Sequence, residues 1–127
     1  WREVRLPFLP GVLARPLGAL LGLASFGLCL WAVATLLRAG TNVPTHLAAK
    51  TLVRRGPYRF SRNPIYLGLA VGFAALAAWL NTAWFLVMCV LFVGLISAGV
   101  IVREERYLQR KFGAEYAAYR ARVRRWL

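Results

Sequence analysis

The chain has 127 residues, 60% of them hydrophobic, with 17 Lys and Arg against 4 Asp and Glu and a formal net charge of +13. That length predicts one domain, residues 1–127, and the apolar fraction lies above the ~45–50% of soluble globular proteins, which argues against a soluble enzyme. A soluble nucleic-acid binder would explain the charge but not uncharged runs of membrane-spanning length, so no nucleic-acid partner is expected and anionic membrane lipids are the natural partner for the basic residues.

Cys29 and Cys89 are the only cysteines and His46 the only histidine. Each cysteine lies in an apolar run, which predicts buried free thiols rather than a disulfide framework, and so few ligand types predict no metal site. The chain begins at Trp1 rather than at a methionine, as expected if an N-terminal segment precedes it.

In chain order, Pro16 to Leu37 contains no charged residue. At ~1.5 Å rise per residue this stretch can cross a ~30 Å hydrocarbon core and predicts a first transmembrane helix over about 16–37. No small-residue cleavage site follows, so it reads as a retained helix rather than a signal peptide. A second uncharged run from Asn63 to Val102 is about twice that length and is interrupted by Asn81-Thr82. Two antiparallel helices joined by a tight turn, about 64–80 and 83–102, account for it. Glycines 18, 22, 27, 68, 72, 94 and 99 would let these helices pack closely.

Three basic residues precede the first helix, six lie from Arg38 to Arg62, none in the Asn81 turn and eight after Val102. The positive-inside rule then places the loop and the tail on the cytoplasmic face, with the N-terminal segment and the tight turn outside. In the tail, Leu108, Phe112, Tyr116, Tyr119, Val123 and Trp126 recur every three or four residues, the pattern of an amphipathic C-terminal helix, interrupted at Gly113, lying in the lipid interface. The fold expectation is thus an all-α integral membrane protein with three transmembrane helices, a cytoplasmic loop and an amphipathic tail.

Two clusters stand out chemically. LVRRGPYRFSRNPIYLG, from Leu52 to Gly68, is a basic loop punctuated by Gly and Pro, with Pro64 suited to a first helical position and Asn63 to its N-cap. Backbone donors there, beside Arg59 and Arg62, suit a carboxylate or phosphate. The second is Glu104-Glu105, two of the chain's four acids, placed at a membrane boundary where they need cationic partners such as the flanking Arg103 and Arg106. A hairpin would bring both clusters to one face.

Together, LVRRGPYRFSRNPIYLG and EERYLQRKFGAEYAAYRARV, separated by a membrane hairpin, resemble the membrane-embedded methyltransferases that include isoprenylcysteine carboxyl methyltransferase and phosphatidylethanolamine N-methyltransferase. The resemblance covers about residues 40–127. It implies S-adenosylmethionine bound at the cytoplasmic face and methyl transfer to a lipid-like or small amphiphilic acceptor. Carried over by position, the cofactor residues are Lys50, Thr51, Leu52, Val53 and Tyr58, then Asn63, Pro64, Ile65 and Tyr66, and finally Glu104. An amine acceptor needs a base, which would be Glu105, with Arg125 and Arg103 holding a lipid phosphate nearby.

The chain departs from the prenylcysteine members in having Asn63 in place of a histidine, and Gly99 and Val100 where they have a substrate arginine. These departures favour a phospholipid amine over a prenylcysteine carboxylate as acceptor. The alternatives are an isoprenylcysteine-type carboxyl methyltransferase, a membrane reductase related to the sterol reductases, and a non-catalytic lipid-binding or scaffold protein.

Overall fold

A computed structural model of the chain describes residues 7–40 and 52–127. Lys50, Thr51 and His46 lie outside these residues. All regular structure among the described residues is helical: α1 (Gly11–Arg38), a short 3-10 turn (Gly56–Arg59), α2 (Pro64–Trp79), α3 (Trp84–Ile96), α4 (Val102–Phe112) and α5 (Ala114–Arg122). A π-helical turn, Ser97–Ile101, joins α3 to α4 without a break.

Among the described residues, two helices are long and apolar enough to cross a membrane, α1 and the continuous Trp84–Phe112 rod, whereas α2 has 16 residues. α1 starts five residues before the expected Pro16, because the chain turns into a helix directly after Pro10, whose carbonyl accepts from Leu13 N at 2.9 Å. Pro16 lies inside α1 and removes only one rung near its start. The third helix likewise does not stop at 102 but runs on to Phe112. An uncharged run marks what is apolar, not where helix ends; nothing from Arg103 to Phe112 is a helix breaker.

α1 and α2 pack antiparallel along a seam of small residues, and Ser25 Oγ donates to Gly68 O at 2.6 Å. A Cβ on Gly18 would stand 2.6 Å from Trp79 N and 2.7 Å from its Cα, and one on Gly68 would stand 2.5 Å from Cys29 Sγ. Backbone at Trp79 cannot swing aside, so Gly18→Ala should force the helices apart and lower stability by roughly 1–3 kcal/mol. Gly27→Ala, where an added Cβ meets nothing within 4 Å, should be close to neutral. Thermal unfolding of both variants in detergent checks this pair.

α3 packs on α2 through Phe73 and Phe92, whose ring centroids are 5.3 Å apart, and Cys89 Sγ donates to Ala70 O at 3.4 Å. Both cysteines are free and half-buried. The rest of α3 exposes Leu86, Val87, Met88, Val90, Leu91 and Leu95, a surface suited to lipid contact.

The two ends of the bundle are closed differently. At one end Asn81, with φ +47°, accepts from Phe8 N and Leu9 N at 3.1 and 3.0 Å and donates to Leu9 O at 2.9 Å, tying the N-terminal segment to the α2–α3 turn. At the other end the loop after residue 52 meets α4 and α5. Ala32, Leu36, Val53, Tyr58, Tyr116, Tyr119 and Val123 form a buried core there, with Leu108 and Phe112 packed against it. Gly113, at φ +57°, breaks the expected amphipathic tail into α4 and α5, and Leu108, Phe112, Tyr116, Tyr119 and Val123 of its apolar stripe pack in or against this core.

Candidate active site

The loop that enters the site is shaped by Gly56, whose φ is +59° and where a Cβ would fall 2.7 Å from Thr35 Oγ1. After it, Pro57 and Tyr58 are buried in the 3-10 turn. The Tyr119 hydroxyl donates to Tyr58 O at 2.8 Å and lies 3.3 Å from Ser61 O, clamping the turn onto α5. Burial pushes the Tyr119 and Tyr58 phenols up, and for Tyr58 the neighbouring Tyr119, Glu104 and Tyr66 add to that.

The segment leading into α2 is held by the C-terminus. Arg62 N donates to Arg124 O at 3.0 Å, and Asn63 Nδ2 and Ser61 Oγ donate to Arg125 O at 2.9 and 3.4 Å. Asn63 therefore occupies the N-cap position of α2 without capping it, contrary to the sequence expectation, because its side chain is committed to residue 125. Pro64 supplies the first helical residue, where its missing N–H costs nothing. Trp126 Nε1 donates to Ser97 Oγ at 3.2 Å, fastening the tail to the π turn.

The two glutamates part company once they are on a helix, where neighbours in sequence point about 100° apart. Glu105 is buried, and both its oxygens are engaged: Arg62 Nη1 at 2.8 Å from Oε2, Arg125 Nε at 3.0 Å from Oε2, and Arg125 Nη2 at 2.8 Å from Oε1. Arg62 Nη1 also donates to the Tyr116 hydroxyl at 3.2 Å. With side-chain exposures of 10% for Arg62 and Glu105 and 34% for Arg125, the triad is shielded on the Arg62 side and open toward Arg125. Arg62 Nε is buried and has no acceptor among the described residues.

Glu104 turns instead toward α2, where Tyr66 Oη donates to its Oε1 at 2.8 Å. It lies beyond the uncharged run of α3. Burial pushes its carboxyl up to about 7, against the opposing pull of the Tyr66 hydrogen bond. A half-buried carboxylate with a proton affinity near neutrality can accept a proton or face a cation.

Of the residues expected in the cofactor site, Tyr58, Tyr66 and Glu104 are thus gathered at one place. Val53 is in the buried core, with Leu52 and Ile65 packed against it, and Pro64 is buried at the head of α2. Lys50 and Thr51 lie outside the described residues. Gly99 and Val100 fall in the π turn, where a Cβ at 99 would meet nothing within 4 Å. The sequence marks Tyr116 only as part of the apolar stripe and does not set apart Ser61 or the Arg62 bridge to Glu105; among so many arginines, no spacing distinguishes the one that is buried.

Comparison with known proteins adds an independent line. No solved structure matches the chain. An uncharacterized protein of Haemophilus influenzae is 40% identical over 63 residues, which is 50% of this chain and 100% of that protein. The sequence profile of the phospholipid methyltransferase family matches residues 13–115, a stretch that includes Tyr58, Tyr66, Glu104 and Glu105. The chain therefore belongs to the phospholipid methyltransferase family.

Proposed function

We propose that this protein is an S-adenosylmethionine-dependent methyltransferase, a single domain that crosses the membrane three times and methylates a phospholipid amine at its cytoplasmic face. α1, α2 and the α3–π segment are the spans. The Asn81 turn and residues 8–9 lie outside, and the loop from residue 52 with α4 and α5 lies inside, as the basic residues favour. The observation that carries the reading is the Tyr66–Glu104 contact of 2.8 Å, with Tyr58 beside it, at the same end of the bundle as the Glu105 triad.

The donor set fits the cofactor. A sulfonium and an ammonium suit a half-buried carboxylate and aromatic faces, and a carboxylate suits the buried Arg62 Nε that lacks an acceptor. When bound, S-adenosylmethionine supplies a strongly electrophilic methyl group. Glu104 faces the cationic groups and takes the proton that an amine acceptor sheds, and Tyr66 orients its carboxylate. Glu105, expected from sequence as the base, has both oxygens occupied by arginines. We assign it, with Arg125, to positioning: the triad pins the loop and the tail to α4 so that Glu104 and Tyr58 share one site. No cation stands at 99 or 100 to receive a prenylcysteine carboxylate, which favours the amine.

Glu104→Gln should weaken S-adenosylmethionine binding by roughly 1.5–3 kcal/mol, the range of a charge-assisted hydrogen bond. A cation is best served by ionised Glu104, so binding releases a proton wherever the free protein holds one. Affinity should therefore fall as pH drops below about 7, by about tenfold per unit, and level off above it. Glu104→Gln should lose that slope. Calorimetry at several pH values tests both, and the same variant should lose methyl transfer to phosphatidylethanolamine in liposomes. A pH-independent affinity unchanged in Glu104→Gln would remove Glu104 from the site. Turnover of a farnesylated cysteine with none of the amine would overturn the acceptor.

A further inference from the structure

On the opposite side of α4 from Tyr66 lies an open groove of about 490 Å³ lined by Val102, Glu105, Arg106, Gln109, Arg110, Arg120 and Arg125. We infer that this groove binds a phosphate group, held by Arg106, Arg110 and Arg120, and that the phosphate is the headgroup of an anionic membrane lipid.

The charge accounting points there first. The described residues include three acids, and each is engaged by other groups: Glu104 by Tyr66, Glu105, itself at the groove wall, by Arg62 and Arg125, and Glu115 by Arg54 at 3.1 Å. No carboxylate of the described chain neutralises Arg106, Arg110 or Arg120. Arg106 and Arg110 are four residues apart on one face of α4, where like charges repel, and the turn at Gly113 brings Arg120 of α5 to the same groove. A cluster of three guanidinium groups around a cavity is relieved by an anion with several acceptor oxygens, the geometry for which arginine is best suited.

The shape points to a lipid. Val102 is the last residue of the uncharged run, and Arg110 is eight residues further along the same helix, about 12 Å at ~1.5 Å per residue. The groove thus begins at the proposed membrane boundary and becomes basic with depth into the aqueous side, matching a molecule whose chains remain in the bilayer. This inference rests on the membrane placement proposed above but not on methyl transfer.

The test uses detergent-purified protein and a short-chain phosphatidylglycerol carrying a fluorophore, followed by anisotropy. Arg106→Gln/Arg110→Gln/Arg120→Gln should weaken binding roughly a hundredfold, at about a kcal/mol per basic residue removed. Arg55→Gln/Arg122→Gln/Arg124→Gln removes the same charge from exposed positions outside the groove and should weaken it by less than about tenfold. The groove triple should keep the melting temperature and S-adenosylmethionine affinity of the parent, which separates this inference from the cofactor reading. If the triple does not purify, Arg110→Gln alone, compared with Arg122→Gln, carries the same contrast. Unlabelled phosphatidylglycerol should displace the probe, and millimolar inorganic phosphate should not. Displacement by phosphate alone would keep the phosphate site and overturn the lipid as its source. Equal losses in the two triples, or none in the groove triple, would overturn the site.

Discussion

Replacing Glu105 with alanine should cost about 3–5 kcal/mol of stability, the range for breaking a buried ion pair by removing one partner. The loss is asymmetric between the two arginines. Arg125, 34% exposed, can turn to water, but Arg62, 10% exposed, would keep a buried charge with the Tyr116 hydroxyl as its remaining side-chain partner. Because Arg62 and Arg125 also belong to the backbone contacts at the head of α2, the tail should detach with the charge. Arg62→Leu/Glu105→Leu should recover part of the loss, since a neutral apolar pair leaves no stranded ion. Unfolding of both variants in detergent is the measurement. A single-variant loss below about 1 kcal/mol, the range of exposed pairs, would mean that the triad is solvated.

Tyr116→Ala should be comparably severe, at roughly 3–5 kcal/mol, because removing a large buried aromatic leaves a cavity. Tyr116 is 1% exposed and sits in the core between α5 and the loop, 6.3 Å from the Tyr119 ring centroid. Its hydroxyl accepts from Arg62 at 3.2 Å, so Tyr116→Phe should lose only about 0.5–1.5 kcal/mol. The contrast between the two variants separates packing from hydrogen bonding. Limited proteolysis should cut the tail of Tyr116→Ala far faster than that of Tyr116→Phe. Equal proteolysis of the two would place the tail on the membrane rather than on the protein.

The helices were legible in the sequence because they are local. A long uncharged apolar run offers its amides no partner but its own backbone, so it must bond within itself, and Pro16–Leu37 and Asn63–Val102 are such runs. The Asn81 turn and the break at Gly113 were legible for the same reason: each is a property of one or two residues. The family resemblance was carried by two ordered motifs, and the profile match over residues 13–115 agrees with it.

Partnership was not legible, because it is long-range. Arg103 and Arg106 flank the glutamates in sequence, yet a helix points such neighbours apart. The partners of Glu105 are Arg62 and Arg125, 43 and 20 residues away. The same limit applies to Asn63, which its position marks as a cap and its contact with residue 125 occupies otherwise. It applies also to the tail, whose apolar stripe suits lipid and protein equally until α5 folds onto Tyr58. The sequence by itself determined which segments are helical, where the charge lies and which family the chain joins, since these follow from local composition and motif. Only the tertiary structure decided which of two adjacent glutamates is locked between arginines and which faces Tyr66, because that depends on helix phase and on chain ends meeting in space.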